Sequence, residues 1–157
     1  MTIQTNQLFQ KYKQEILDSF MKKQGFVKYK TNSYIRLNEK FLVECICIKK
    51  SKIRKFTLLI SLAPLYVPNV CLPLAQGFDL GKVITNANEK EKFKSFWWDY
   101  REDKVAKESF ENVVEVIEQF VLPWFSQYLS PKIYQEDLKN GKILDGNNSI
   151  QWLIYFL

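Results

Sequence analysis

The sequence predicts a single α+β domain, residues 1–157, in which an antiparallel sheet of about four to five strands packs against an N-terminal helix and a long C-terminal helix. Three observations predict this class. Apolar residues recur every four positions near the start of the chain, alternate through its middle, and recur with a helical period again after residue 103. With 157 residues, 46% of them hydrophobic, the chain is long enough to bury one core.

A first helix is predicted over residues 6–23. One apolar face consists of a row that recurs every four positions and two flanking residues: Leu8, Tyr12, Ile16 and Phe20, with Leu17 and Met21 beside them. Gly25 is suited to end the helix, because glycine adopts the left-handed conformation of a C-terminal cap without steric cost.

Four strands are predicted in the next part of the chain, where apolar residues alternate. Residues 27–29 and 33–37 form a short hairpin, residues 41–48 form a central strand, and residues 56–62 follow a polar turn. The central strand is apolar on both faces, so we expect helices on one side of it and a loop on the other.

Prolines and glycines interrupt the following segment, where we expect one further short strand over residues 82–85. A long helix is predicted over residues 103–128, with Pro123 kinking or ending its last turns. A shorter helix follows over residues 131–140. The last segment, residues 150–157, is almost wholly apolar and must be buried in this chain or in a homo-oligomer.

The composition predicts a cytoplasmic protein. Residues 1–10 lack the basic and apolar regions of a secretory signal, and the three cysteines cannot all pair in disulfides. Residues 57–76 are uncharged, but three prolines interrupt them, so we interpret them as a strand and a buried loop. We expect no association with a membrane.

The residue types exclude several kinds of chemistry. The chain has no histidine, which excludes Ser-His-Asp and Cys-His catalysis and every zinc site that uses histidine. Three cysteines without a C-x-x-C pair are too few for structural zinc or an iron–sulfur cluster, and the scattered glycines form no phosphate-binding loop. We therefore expect no metal and no cofactor, and the sequence favours a protein that is not an enzyme.

Two carboxylates are candidates for a functional role, Glu44 and Asp99. Glu44 lies in the central strand among apolar neighbours, so it pairs with a buried lysine or arginine, lies on an open face, or lines a site with a shifted pKa. Asp99 is close in sequence to Glu102 and Asp103. We favour a structural role for this group at the start of the long helix over acid–base chemistry.

The predicted turn of residues 49–55 holds five cations, Lys49, Lys50, Lys52, Arg54 and Lys55. These cations are able to neutralise the phosphates of a nucleic acid, but exposed hairpin ends are commonly rich in lysine for solubility alone. Residues 1–60 hold thirteen Lys and Arg against four Asp and Glu, a net charge of +9, whereas the rest of the chain carries −3. This asymmetry indicates an anionic partner or, as we favour, two parts that attract each other.

Trp97 and Trp98 are candidates for a binding surface. Adjacent residues of a regular strand point to opposite faces, so one tryptophan would pack in the core and the other would line a groove. If both lie in a loop or begin the helix, both are able to enter the core.

A series of short motifs follows the first helix in a particular order: Gly25-Phe26 with Lys28, a strand with Tyr34 and Arg36, Ile48-Lys49-Lys50-Ser51, Phe56-Thr57, Trp97-Trp98, and Leu122-Pro123-Trp124-Phe125. This order, over residues 5–128, resembles a bacterial family called domain of unknown function 4304. The resemblance implies a bacterial cytoplasmic α+β protein and supplies no catalytic residues. Some members of that family look like immunity proteins of toxin systems, which implies a partner protein.

The leading hypothesis is a noncatalytic protein-binding module, similar to an immunity protein, whose surface includes the basic turn, Trp97 and Trp98, or the apolar C-terminus. The alternative is a nucleic-acid-binding protein that places the five turn cations on phosphates. A third hypothesis is a carboxylate-based hydrolase centred on Glu44 or Asp99.

Overall fold

The computed structural model of the protein describes residues 3–39, 42–64, 78–79 and 96–140. Within these residues an antiparallel sheet packs against an N-terminal helix and a long C-terminal helix, which confirms the predicted α+β class. No helix in this part of the chain is long and apolar enough to cross a membrane.

The first helix, α1, has an α-helical stretch, a π-helical stretch and a second α-helical stretch: Ile3–Tyr12, Lys13–Asp18 and Ser19–Lys23. Its end is closed as the sequence predicts, because Gly25 has a φ angle of +83°. The N–H of Phe26 donates to the carbonyl of Met21 at 3.0 Å, and that of Gly25 donates to Lys22 at 3.1 Å. These two bonds form a Schellman motif, the common glycine-terminated helix end.

The most deeply buried row of α1 lies beside the predicted row and includes the two predicted flanking residues, Leu17 and Met21. The row that enters the core repeats every four residues and is at most 3% exposed: Phe9, Lys13, Leu17 and Met21. Apart from the buried Tyr12, the predicted row lies at the margin of the core: Leu8, Ile16 and Phe20. The predicted face therefore lies against the core, with the flanking Leu17 and Met21 fully buried, and the residues that the prediction left out are Phe9 and the charged Lys13.

Six strands form the sheet: β1 (Val27–Lys30), β2 (Ser33–Leu37), β3 (Leu42–Lys50), β4 (Lys55–Pro64), β5 (Phe78–Asp79) and β6 (Trp98–Asp99). Strands β1 to β4 form the predicted antiparallel meander, in chain order. Strands β5 and β6 both pair with the other edge of β4, and neither was predicted. The predicted strand over residues 82–85 and the apolar segment 150–157 lie outside the described residues.

The long helix, α2, has four successive stretches: α-helical Asp103–Val116, π-helical Ile117–Val121, α-helical Leu122–Ser126 and 3₁₀-helical Gln127–Leu129. Pro123 does not end it, because the proline occupies the first turn of a new α-helical stretch, where a missing N–H costs least. Helix α3, Pro131–Lys139, follows it as predicted.

The core lies between the helices and one face of β3 and β4. Three phenylalanines from distant parts of the chain meet at its centre, one each from α1, β4 and α2. The ring of Phe9 lies 5.5 Å from that of Phe56 and 5.4 Å from that of Phe110, and the last two rings stack at 4.7 Å. These rings join the N-terminal helix to the rest of the fold.

The opposite face of the sheet is also buried. Val43 and Cys45 point away from the helices and are 4% and 0% exposed. The prediction that β3 is buried on both faces is therefore confirmed, while the loop expected over the second face falls on residues outside those described.

Replacing Phe9 by alanine should lower the free energy of unfolding by about 3–5 kcal/mol, because the ring is fully buried and its removal leaves a cavity beside the Phe56 and Phe110 rings. Urea denaturation followed by circular dichroism measures the change. Val105→Ala, at a 36% exposed position of α2, is the matched control and should change stability by less than about 0.5 kcal/mol. Equal losses from the two variants would contradict the central role of Phe9.

Candidate functional site

The turn between β1 and β2, called the first turn, and the turn between β3 and β4, called the second turn, lie at the same end of the sheet. The N–H of Ile48 donates to the carbonyl of Asn32 at 2.8 Å, which places the first turn beside the end of β3. The second turn, residues 51–54, closes where the N–H of Ser51 donates to the carbonyl of Lys55 at 2.8 Å. We call this region the basic end and define it by its cations: Lys30, Lys49, Lys52, Arg54 and Lys55.

The backbone of the second turn is held by several contacts. Arg54 adopts a φ angle of +62°, in the left-handed region, and its carbonyl accepts the N–H of Tyr100 at 3.2 Å. The N–H of Lys55 donates to the Ser51 side chain at 3.2 Å. The turn therefore presents its side chains from a defined backbone.

Lys50 does not join the other turn cations. Its Nζ lies 4.2 Å from the centre of the Phe9 ring and 5.3 Å from that of Tyr100, and it donates to Asn6 at 3.3 Å. Burial lowers the pKa of this lysine. Lys50 therefore covers the aromatic core, while Lys49 and Lys52 are exposed and Arg54 and Lys55 are half-buried.

The two tryptophans differ in environment. Trp98 is 8% exposed and its indole N–H donates to Asn112 of α2 at 2.8 Å, whereas Trp97 is 37% exposed. Trp98 lies in register with Phe56, and the next residue, Asp99, lies in register with Lys55. Trp97 therefore directly precedes β6, the strand that pairs with the start of β4 beside the basic turn.

Glu44 is paired, the first of the three roles that the sequence allows. Its carboxylate accepts a hydrogen bond from Arg36 Nε at 2.6 Å, and the same guanidinium donates to the Gln24 carbonyl at 2.7 Å and lies 4.5 Å from the centre of the Phe26 ring. Burial raises the pKa of Glu44, and the arginine opposes part of this rise. The pair ties β2 and β3 to the end of α1.

Asp99 is also engaged. Its carboxylate accepts hydrogen bonds from the Arg101 backbone at 2.8 Å and from Arg101 Nε at 2.7 Å, and its carbonyl accepts the Ser109 hydroxyl at 2.7 Å. Burial alone would raise the pKa of Asp99, but the bonds from Arg101 outweigh it and hold the pKa below its usual value. The residue before α2, Glu102, makes no side-chain cap.

Cys45 and Cys47 lie on the face of β3 away from the helices, with their sulfur atoms 3.6 Å apart. Cys47 is half-buried, and its sulfur also lies 3.2 Å from the Ser33 hydroxyl. The hydrogen bond with Cys45 lowers the pKa of Cys47, while burial opposes it and Ser33 and Lys30 assist it. The same contact and burial raise the pKa of Cys45.

A second polar cluster surrounds Asp18 in the π-helical stretch of α1. Its carboxylate accepts Lys13 Nζ at 3.1 Å, the Tyr34 hydroxyl and Lys28 Nζ. Sequence reasoning missed this cluster because a spacing of five residues between Lys13 and Asp18 has no place in a regular α-helix. The one available signal is Lys13 itself, a charge at a position of the apolar row that begins at Phe9.

The fold and these features define a small α+β protein with a basic, partly apolar end. No protein-family model, curated protein or solved structure matches the chain. The resemblance to domain of unknown function 4304 stays a prediction. Within the described residues, no three His, Cys, Asp or Glu side chains lie close enough to hold a metal ion.

Replacing Arg36 by methionine should lower the free energy of unfolding by about 3 kcal/mol. This is the lower end of the range for breaking a buried ion pair, and we choose it because the Arg36 side chain is 29% exposed. The loss should depend on pH. Without the arginine, the pKa of Glu44 in the folded protein rises further. A carboxyl group whose pKa is raised by folding stabilises the fold below its unfolded pKa of 4.5, and this contribution is lost as the pH rises through the folded pKa.

Urea denaturation near pH 4.5, the usual value for this carboxyl, and at neutral pH measures the effect. The deficit of Arg36→Met should be larger at neutral pH, and adding Glu44→Gln should recover part of it. A deficit that is equal at both pH values, or unaltered by Glu44→Gln, would contradict the pairing.

Alkylation by iodoacetamide should modify Cys47 faster than Cys45 at neutral pH, because Cys47 is more accessible and its lower pKa gives more thiolate. Peptide mass spectrometry distinguishes the sites. Ser33→Ala, which removes one hydrogen bond to Cys47, should slow that reaction, and equal rates at the two thiols would contradict this assignment.

Proposed function

We propose that this protein is a noncatalytic interaction module of the bacterial cytoplasm whose basic end binds an acidic surface of a partner protein. The observation that carries this proposal is the presence of exposed apolar side chains among exposed cations. Ile53 is 67% exposed in the turn between Lys52 and Arg54, and Trp97, which directly precedes β6, is 37% exposed. Tryptophan and arginine are enriched at the centres of protein interfaces, and surrounding charges guide the encounter.

The pairing of the two candidate carboxylates with arginines favours a binding function over hydrolysis. Glu44 and Asp99 each hold an arginine at hydrogen-bond distance, and the two carboxylates belong to separate ion pairs. A general acid or base needs a carboxyl that is able to exchange its proton with a substrate. We infer that both residues position the strands and turns that carry the surface.

The charge asymmetry of the chain supports an external partner. Among the ion pairs of the described residues, the one that joins the basic first part to the acidic second part is Lys11 with Asp103, at 3.7 Å and with both side chains at least 49% exposed. Exposed pairs of this kind add little stability. Within the basic end, Lys55 lies in register with Asp99 and its charge helps to lower the pKa of that carboxyl, whereas the exposed Lys49 and Lys52 remain able to meet an acidic partner. The family resemblance makes a toxin the first partner class to test.

Affinity capture from a nuclease-treated lysate of the bacterial host tests the proposal. The wild-type chain should recover a discrete partner protein, and Trp97→Ala should weaken binding of the purified partner at least about tenfold, as expected for an interface hot spot. Lys49→Glu with Lys52→Glu should weaken it too, because both side chains are exposed at the basic end.

Matched controls are Leu129→Ala, a 45% exposed apolar residue elsewhere, and Lys132→Glu on α3. These controls should leave the affinity unchanged. Recovery that disappears with nuclease would instead assign the basic end to nucleic acid, and a partner that binds all four variants equally would place its interface elsewhere.

A further inference from the structure

A cavity of about 260 Å³ lies between α1 and the β1–β2 hairpin, apart from the second turn. Its lining is polar and rich in hydrogen-bond donors: Gln10, Lys13, Gln14, Lys28, Lys30 and Thr31. The volume falls just below the range of about 300–1,000 Å³ for cavities that hold drug-sized ligands. The cavity therefore suits a small polar molecule.

The cavity wall carries a net positive charge. Three lysines line it, and Asp18 is the carboxylate among the lining residues, which leaves an excess of two positive charges. Lys13 is only 3% exposed, so its ammonium is held in a partly dehydrated position where charge interactions are strong. An anion of two charges would balance this wall.

Asp18 orients two of the lysines, Lys13 and Lys28, and cancels one of the three positive charges. Burial would raise its pKa, but hydrogen bonds from Lys28, Tyr34 and Lys13 hold the pKa below its usual value. Its contacts use one donor of each ammonium, and an ammonium has three. Lys13 and Lys28 are thus oriented by the carboxylate and keep further donors for a ligand.

We propose that this cavity binds a small phosphate monoester, with the phosphate group among the lysine, glutamine and threonine donors. A phosphate monoester carries a charge of about −1.5 to −2 at neutral pH, which matches the excess of two, whereas a carboxylate or a phosphodiester carries one. Tyr29 also lines the cavity and is 44% exposed. Its ring offers a face for the organic part of the ligand.

Phenyl phosphate is the probe, with inorganic phosphate and benzoate as comparisons, all at constant ionic strength. Amide NMR of the full chain should show saturable shifts in the cavity residues, and phenyl phosphate should bind more tightly than benzoate. Lys30→Met should weaken binding about tenfold, which corresponds to a loss of about 1.4 kcal/mol in binding free energy. The control Lys132→Met removes the same charge from α3 and should leave binding unchanged. Gln14→Leu, at an exposed helix position, is a second variant and should weaken binding severalfold.

Lowering the pH to about 5, below the second phosphate pKa of about 6, should weaken binding because the ligand becomes a monoanion. Asp18 stays ionised there, since its pKa lies below its ordinary value of 3.8. Benzoate binding as tightly as phenyl phosphate, equal effects of Lys30→Met and Lys132→Met, or the absence of saturable shifts would each overturn the proposal.

Discussion

The fold depends on the contact of three phenylalanine rings, Phe9, Phe56 and Phe110, which belong to α1, β4 and α2. Aromatic side chains bury large areas, so one such cluster is able to dock a helix that is far away in sequence. Lys50 closes the cluster from the solvent side with its ammonium over Phe9. The same contact removes one cation from the basic turn, so core packing and surface charge are linked at this residue.

The sequence predicts the meander well because short runs of β-forming residues are separated by polar turns. The predicted residues 33–37 coincide with β2, and β3 and β4 differ from prediction by a few residues at their ends. The burial of Lys13 in α1 was not predictable from apolar residues alone, since this position carries a charge. Its burial depends on Asp18, which the π-helical stretch brings into reach.

In the candidate site, too, the sequence reveals which residues are present but not how the fold arranges them. The set of basic residues in the turn is visible in the sequence, but the inward direction of Lys50 depends on Phe9, from a different part of the chain. Pairing of Glu44 with an arginine was one of three predicted roles. The choice of Arg36 required the register of β2 and β3, which sets these two residues opposite each other. Strands β5 and β6 have two residues each, too short for any periodic signal.

Strand β1 is the outermost strand of the described sheet, and all four of its residues are exposed. Such an edge offers unpaired backbone groups on which a second chain is able to assemble as an additional strand. Lysines at positions 28 and 30 and an irregular register between them oppose such growth, because a charged and twisted edge accepts a neighbour poorly. The protection of this edge therefore depends in part on the charges of Lys28 and Lys30, and modifications that neutralise lysine would weaken it.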